Sequence, residues 1–284
     1  EMLRSLVGSE MCIRDRSGKC SENCSFCAQS AFHHANIPVF PLISTEEIIT
    51  CARKAKAAGA TRFSIVTGGR SVEPGPDFEN IIRAIPVIRD TIGIEICCSL
   101  GLINKTQLKA LKAAGITRYH SNIETAPSYF PSICTTHTFA DKERMVKEVI
   151  AAGLRPCCGG IFGLGESQHQ RIEMAYTLKR LGIDSVPVNI LNPIKGTALE
   201  NVQPPSPWEI LRIFSVLRFI LPKAQIRTAG GREINLRSMQ AYALTAGADG
   251  LMIGGYLTTK GNETHVDRQM LQDLNRRPAI PCLS

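Results

Sequence analysis

The sequence predicts an α/β fold, a (β/α)8 TIM-type barrel that lacks its first strand. The first observation behind this is a repeated ending. Ala57-Ala58-Gly59, Ala113-Ala114-Gly115, Ala151-Ala152-Gly153, Arg180-Leu181-Gly182 and Thr245-Ala246-Gly247 each close a helical pattern, and each precedes a β-type run. Glycine after the last helical turn takes up the left-handed cap. Helix, glycine and strand in repetition mean βα units around a parallel sheet. The second observation is that polar and sulfur-bearing residues gather where the strands end, the face on which such barrels carry their chemistry.

The chain opens on a segment that does not fit. Glu1 to about Arg16 has no clear periodicity and is too polar for a signal-peptide core. It resembles translated sequencing-adapter read-through, so residues 1–16, with Cys12, are set apart as a leader. Residues 17–284 read as one domain without a linker or low-complexity stretch. The first helix starts at Ser44-Thr45-Glu46-Glu47, a cap followed by acidic residues. Strands are expected near 62–66, 93–99, 117–123, 155–161, 185–191, 225–229 and 249–253. Helices are expected near 44–58, 78–90, 105–114, 140–152, 168–181, 207–221, 235–246 and 265–274. A closed barrel wants eight strands. The eighth would precede Cys20, where the leader sits.

Composition narrows the function classes. The net charge is +8, but Lys and Arg are scattered among Asp and Glu. A solvated surface is expected, with no nucleic-acid partner. No apolar run is long enough to span a bilayer, so no membrane partner is expected. Eleven cysteines on a loop and near strand ends suggest metal or redox use in a reducing, cytoplasmic setting rather than disulfides.

Cys20-Ser-Glu-Asn-Cys24-Ser-Phe-Cys27 places three cysteines on one short loop. Three thiolates there can hold three corners of an iron–sulfur cube, which takes four protein cysteines when fully ligated. The next cysteine, Cys51, lies in a helical pattern, so one iron would stay open to a small molecule. Zinc sites show paired knuckles or well-spaced histidines, and the adjacent His33 and His34 offer neither.

CxxxCxxC with an aromatic, Phe26, before its last cysteine resembles the signature of radical S-adenosylmethionine (SAM) enzymes. Within that superfamily, Lys19 to Ser30 is similar to the biotin synthase family, and the likeness runs from about Ser17 to near the C-terminus. The resemblance implies a sulfurtransferase that inserts sulfur into dethiobiotin. It implies a 4Fe-4S cluster on Cys20, Cys24 and Cys27, with SAM on the open iron. The frames around Cys97, Cys157 and Arg227 match those that ligate an auxiliary cluster, 2Fe-2S or a variant. Their neighbours Cys98 and Cys158 should point to the other face of their strands. By the same resemblance Asn122 and Glu124 contact SAM or substrate, and Asn189 binds the ureido ring. Gly68 and Gly69 lie near the SAM amino group, while Gly163-Leu-Gly165-Glu166 either lines the SAM site or only starts a helix. An electron donor such as flavodoxin or ferredoxin and a homodimer are also implied.

The chain departs from the family pattern in four places. Ser64 stands where the best-known pattern has an auxiliary cysteine, and serine is a poor ligand for soft iron–sulfur chemistry. Glu124 replaces a shorter Asp, and His120 stands where Asn is typical. Cys134 falls at an apolar position. Ser64 and Cys134 together suggest an altered auxiliary cluster on Cys97, Cys134 and Cys157, while Glu124 and His120 alter the expected contacts to SAM or substrate. Two other readings stay open: another radical SAM barrel of hydrogenase-maturation or methylornithine-synthase type, and an iron–sulfur electron carrier without a substrate.

Overall fold

The structure, a computed structural model, describes residues 5–6, 8–16, 20–254 and 261–278. Its main sheet contains β1 (Gly8–Arg16), β2 (Arg62–Thr67), β3 (Glu95–Ser99) and β4 (Arg118–His120). Then come β5, in two pieces (Arg155–Cys157 and Gly160–Phe162), β6 (Ser185–Ile190), β7 (Gln225–Thr228) and β8 (Gly250–Met252). All pairings are parallel, and each strand neighbours the next in sequence, with β1 between β8 and β2. The first piece of β5 pairs with β4 and the second with β6. Between the pieces, Cys158 N–H donates to the Ser185 carbonyl, while Ile123 N–H donates to the Gly159 carbonyl. The run 155–162 therefore joins the two ends of the sheet and returns it on itself.

The expected absence of a first strand is corrected here. Gly8–Arg16 lies in that slot, paired with β2 from Glu10 to Arg16 and with β8 from Gly8 to Glu10. The reason is physical. The gap between β2 and β8 offers two rows of backbone donors and acceptors. A proline-free run of nine residues can satisfy them through its own backbone, without any side-chain periodicity.

The helices are α1 (Thr45–Ala57), α2 (Pro76–Val87), α3 (Lys105–Ala114), α4 (Phe139–Ala151), α5 (Gln168–Arg180), α6 (Pro207–Ile220), α7 (Gln240–Ala246) and α8 (Thr264–Asp273). The expected Ser44–Glu47 cap forms as a reciprocal capping box, and Asn104–Gln107, Thr138–Asp141 and Ser167–Gln170 repeat the device. Past Pro86, α2 widens into a π turn, Ile88–Ile92, which ends at left-handed Gly93. Before α7 the expected helix 235–246 is broken, with a short helix Arg232–Leu236 leading into a 3-10 turn. One further short helix, Phe130–Ile133, escaped the sequence reading. Four residues carry too little periodicity to register.

Outward strand residues such as Phe63, Ile65, Ile96, Cys98, Tyr119, Val186 and Ile226 share one buried core with Ile48, Ile81, Leu108, Val149, Leu178 and Phe214 on the helices. Each large apolar side chain so buried contributes about 1.5–3 kcal/mol. A second, smaller cluster of Phe130, Ile133, Cys134, Leu164 and Leu191 sits against Cys24 and Phe26. No helix among the described residues is long and apolar enough to cross a membrane.

The N-terminal rim of the barrel is tied by charge. Arg118 is 1% exposed. Its guanidinium reaches Asp184 Oδ1 at 3.0 Å and Glu95 Oε1 at 3.6 Å, while Arg62 donates to Glu95 Oε2 at 2.8 Å. Burial opposes ionisation of Glu95, but Arg62, Thr117 and Arg118 outweigh it and hold the carboxyl below its ordinary range. Asp184 is likewise lowered, burial being outweighed by Arg155 and Arg118. Both folded-state values are depressed, so this stabilisation is present above the ordinary carboxylate range and fades as pH falls through the depressed values. Glu95→Gln is expected to cost about 1.5–3 kcal/mol at neutral pH, as for a hydrogen bond to a charged group. It should also flatten the acid limb of stability, as read by denaturant titration across pH. Deleting residues 1–16 should expose the facing edges of β2 and β8. Light scattering of the shortened chain should then report aggregation where the full chain stays monodisperse.

Candidate active site

The cysteine loop, which follows β1 in sequence, folds back on itself. Cys20 N–H donates to Gln29 O at 2.7 Å, Ala31 N–H to Cys20 O at 2.8 Å, and Cys27 N–H to Cys24 O at 3.0 Å. Cys20 is buried, and Cys24 and Cys27 are half-buried. Burial pushes all three thiols up, and at Cys24 the neighbouring Cys134 sulfur adds to the effect. Buried thiols with raised values hold their protons unless a cation replaces them. Cys20, Cys24 and Cys27 share one loop, Cys27 lines a cavity, and the loop supplies no fourth cysteine. That donor set fits an iron–sulfur cube that would be held by Cys20, Cys24 and Cys27.

A polar clamp holds the loop from the side. The Glu22 carboxylate accepts from Arg70 at 2.7 Å, from Thr136 Oγ1 at 2.6 Å, and contacts His137 Nδ1. Asn23 Oδ1 accepts from Thr135 N–H at 2.9 Å and Thr136 N–H at 3.2 Å, and Ser25 N–H donates to Ile133 O at 2.8 Å. The short helix Phe130–Ile133 delivers this segment over the loop. With it comes Cys134, whose Sγ lies 3.8 Å from Cys24 Sγ and 3.2 Å from His137 Nδ1. The expected grouping of Cys134 with Cys97 and Cys157 is therefore corrected. Cys134 stands beside the cysteine loop, because the unanticipated helix carries it away from the strand ends.

A cavity of about 340 Å³ runs from the loop into the barrel. Phe26, Cys27 and Gln29 form its mouth, and Ser64, His120, Asn122, Glu124, Asn189 and Arg227 line its wall. Cys98 and Cys158 are wholly buried in the core between sheet and helices. Their partners face the other way, as alternation requires. Cys97 pairs in register with cavity-lining Ser64, and Cys157 pairs with His120. Arg227 Nη2 donates to Cys157 Sγ at 3.0 Å, and His120 Nδ1 lies 3.3 Å from the same sulfur.

The remaining expected residues fall as follows. Asn122 Oδ1 accepts from Gly159 N–H at 3.0 Å. Asn189 bridges β5 and β7, donating to Gly160 O at 3.2 Å and accepting from Gly230 N–H at 3.0 Å. An amide has two donors and two lone pairs, so one of each remains for a ligand. Glu124 has a φ of 68°, a left-handed conformation that costs a non-glycine residue energy and clusters at working sites. Its carboxylate lies 3.8 Å from Lys142 Nζ on α4. Gly68 and Gly69 are in the turn beyond β2, off the cavity wall, where the next residue, Arg70, reaches Glu22. In the loop after β5, Glu166 accepts from Gly163 N–H, Leu164 N–H and Arg171. That loop backs the cysteine loop through Leu164 and starts α5.

Comparison with known proteins gives the site its lineage. A radical SAM superfamily profile matches residues 16–178, and a biotin and thiamin synthesis associated domain matches residues 187–277. The chain is 50% identical over 270 residues to the biotin synthase of Geotalea daltonii, covering 95% of this chain and 82% of that one. It is 49% identical to that of Geobacter sulfurreducens over 94% of this chain and 82% of that one. This chain belongs to the biotin synthase family. The fold is shared more widely. Solved methylornithine synthase superposes with a TM-score of 0.79 at 19% identity, over 98% of this chain and 84% of that one. The FeFe-hydrogenase maturase HydG from Carboxydothermus hydrogenoformans gives 0.77 at 20%, over 97% and 68%.

Membership of the biotin synthase family brings a four-iron cluster and SAM, and the three-cysteine loop, whose Cys27 lines the cavity, suits both. The clamp residues Glu22, Asn23, Thr136 and His137 were missed in the sequence. Their only signal was polar residues inside and just after cysteine-bearing segments, with no fixed spacing between the two. Glu22→Gln should loosen the loop without altering its sulfur ligands. Loaded protein is expected to release iron to a chelator several-fold faster than wild type, at unchanged far-ultraviolet circular dichroism.

Proposed function

We propose that this chain makes biotin by radical insertion of sulfur into dethiobiotin, with SAM as the radical source. The observation that carries the reading is the single cavity that links the three-cysteine loop to Asn189 and to the Cys157–Arg227 contact. When bound, the four-iron cluster with SAM supplies a 5′-deoxyadenosyl radical, and an auxiliary cluster on Cys97, Cys157 and Arg227 supplies sulfur. The chain's own residues then have distinct work. Glu124 and Asn122 hold the polar groups of SAM between the cysteine loop and β4. Asn189 offers its spare N–H and lone pair to the cyclic urea of dethiobiotin. Arg227 donates a hydrogen bond to the Cys157 sulfur and places a cation against it. Phe26, Ile161 and Leu191 keep water and other hydrogen donors from the reacting carbon.

The same reading takes its electron from a flavodoxin or ferredoxin, works as a homodimer and resides in the cytoplasm. The methylornithine and hydrogenase-maturation likenesses support the barrel only, at 19–20% identity. Anaerobic incubation with SAM, reductant and dethiobiotin should yield biotin and deoxyadenosine. Deoxyadenosine without biotin would point to a relative, and neither product to an electron carrier. Asn189→Ala should raise the KM for dethiobiotin about 10–100-fold, as expected for a lost buried polar contact. SAM-dependent behaviour should be little changed, and a thermal midpoint within a few degrees would separate binding from folding effects.

A further inference from the structure

Ser64 leaves the auxiliary site short of one soft ligand. It occupies the register position opposite Cys97 and lines the cavity, but its hydroxyl suits iron–sulfur chemistry poorly. Cys134, the substitute suggested by the sequence, lies by Cys24 instead. The structure brings a different donor to the place. His120 ends β4, lines the cavity with Ser64 and Arg227, and pairs in register with Cys157. Its Nδ1 is 3.3 Å from Cys157 Sγ, which Arg227 Nη2 approaches to 3.0 Å and Ser185 Oγ to 3.5 Å. An imidazole from β4 and a guanidinium from β7 thus converge on one buried sulfur.

Two features are compatible with this contact serving as a ligand pair. Imidazole can replace thiolate on the iron of two-iron clusters. Two ligands on one tetrahedral metal, with metal–sulfur and metal–nitrogen bonds of ~2.3 and ~2.1 Å, sit about 3.6 Å apart. The Nδ1–Sγ separation of 3.3 Å is within a small side-chain adjustment of that edge.

We propose that His120 is an iron ligand of the auxiliary cluster, supplying with Cys97, Cys157 and Arg227 the ligation that Ser64 cannot. The inference rests on the auxiliary-cluster reading above. In this chain the sulfur-donating centre is a mixed thiolate–imidazole site, and its nitrogen ligation distinguishes it from a site built on three cysteines.

The test uses the full chain, reconstituted anaerobically with iron and sulfide, with and without 15N-histidine. Wild type should bind more iron than the about four per chain of the cube alone. Pulsed electron paramagnetic resonance of the reduced protein should show a strongly coupled nitrogen that changes with 15N-histidine. His120→Asn should lose that coupling, and its iron should fall toward the content of the cube, with circular dichroism unchanged. His120→Cys should restore the iron without the nitrogen coupling. A second cluster with the same spectrum in wild type and His120→Asn would overturn the proposal, as would an effect of His120→Asn confined to the KM for dethiobiotin. If wild type loads the cube but no further iron, the auxiliary-cluster reading fails first, and the role of His120 falls with it.

Discussion

Gly159 and Gly160 let the fifth strand pass between β4 and β6 at distances that no side chain allows. A Cβ on Gly159 would lie 1.9 Å from the Pro187 carbonyl oxygen, and one on Gly160 would lie 2.3 Å from that of Glu124. Real Cβ atoms do not approach backbone so closely. This passage is where the sheet returns on itself, and the cavity exists because it does. It also fixes the register of the two residues before it. Cys158 enters the packed core, and Cys157 meets His120 and Arg227. The chemistry assigned to Cys157 therefore depends on a steric condition two residues away.

The cysteine loop depends on a different kind of restraint. Its thiols are pushed up by burial, so without a cation the sulfurs themselves give the loop no charged tether. Glu22 supplies the anchor. Burial acts against its charge, yet hydrogen bonds from Thr136, His137 and Arg70 prevail and hold the carboxyl below its ordinary range. A charged group removed from water is stable only when its lone pairs are met in this way. Arg70 follows β2, and Thr136 and His137 precede α4, so the loop is tied to two separate βα units. The loop after β1 is thereby held by strand ends further round the barrel, which keeps its sulfurs at the mouth of the cavity.

Much of the fold was legible in the sequence because its signals are local. Glycine after Ala57-Ala58 or Ala113-Ala114 is a helix end whatever surrounds it, and the Ser44–Glu47 box closes within four residues. The pairs Cys97-Cys98 and Cys157-Cys158 announced their division between lumen and core, since alternation along a strand is a property of the backbone. The first strand was not legible. Gly8–Arg16 has no pattern of its own, and only the empty place between β2 and β8 gives it a structure.

The sequence by itself determined the barrel class, the three-cysteine loop and the list of polar groups at the strand ends. Those follow from spacing, caps and periodicity, which operate over a few residues. The tertiary structure alone decided which groups meet. It moved Cys134 from the auxiliary site to the side of Cys24, because a four-residue helix redirects the chain there. It set Glu22 against His137, 115 residues apart. It also placed His120 on the Cys157 sulfur, because parallel register aligns the last residue of β4 with the strand that closes the barrel.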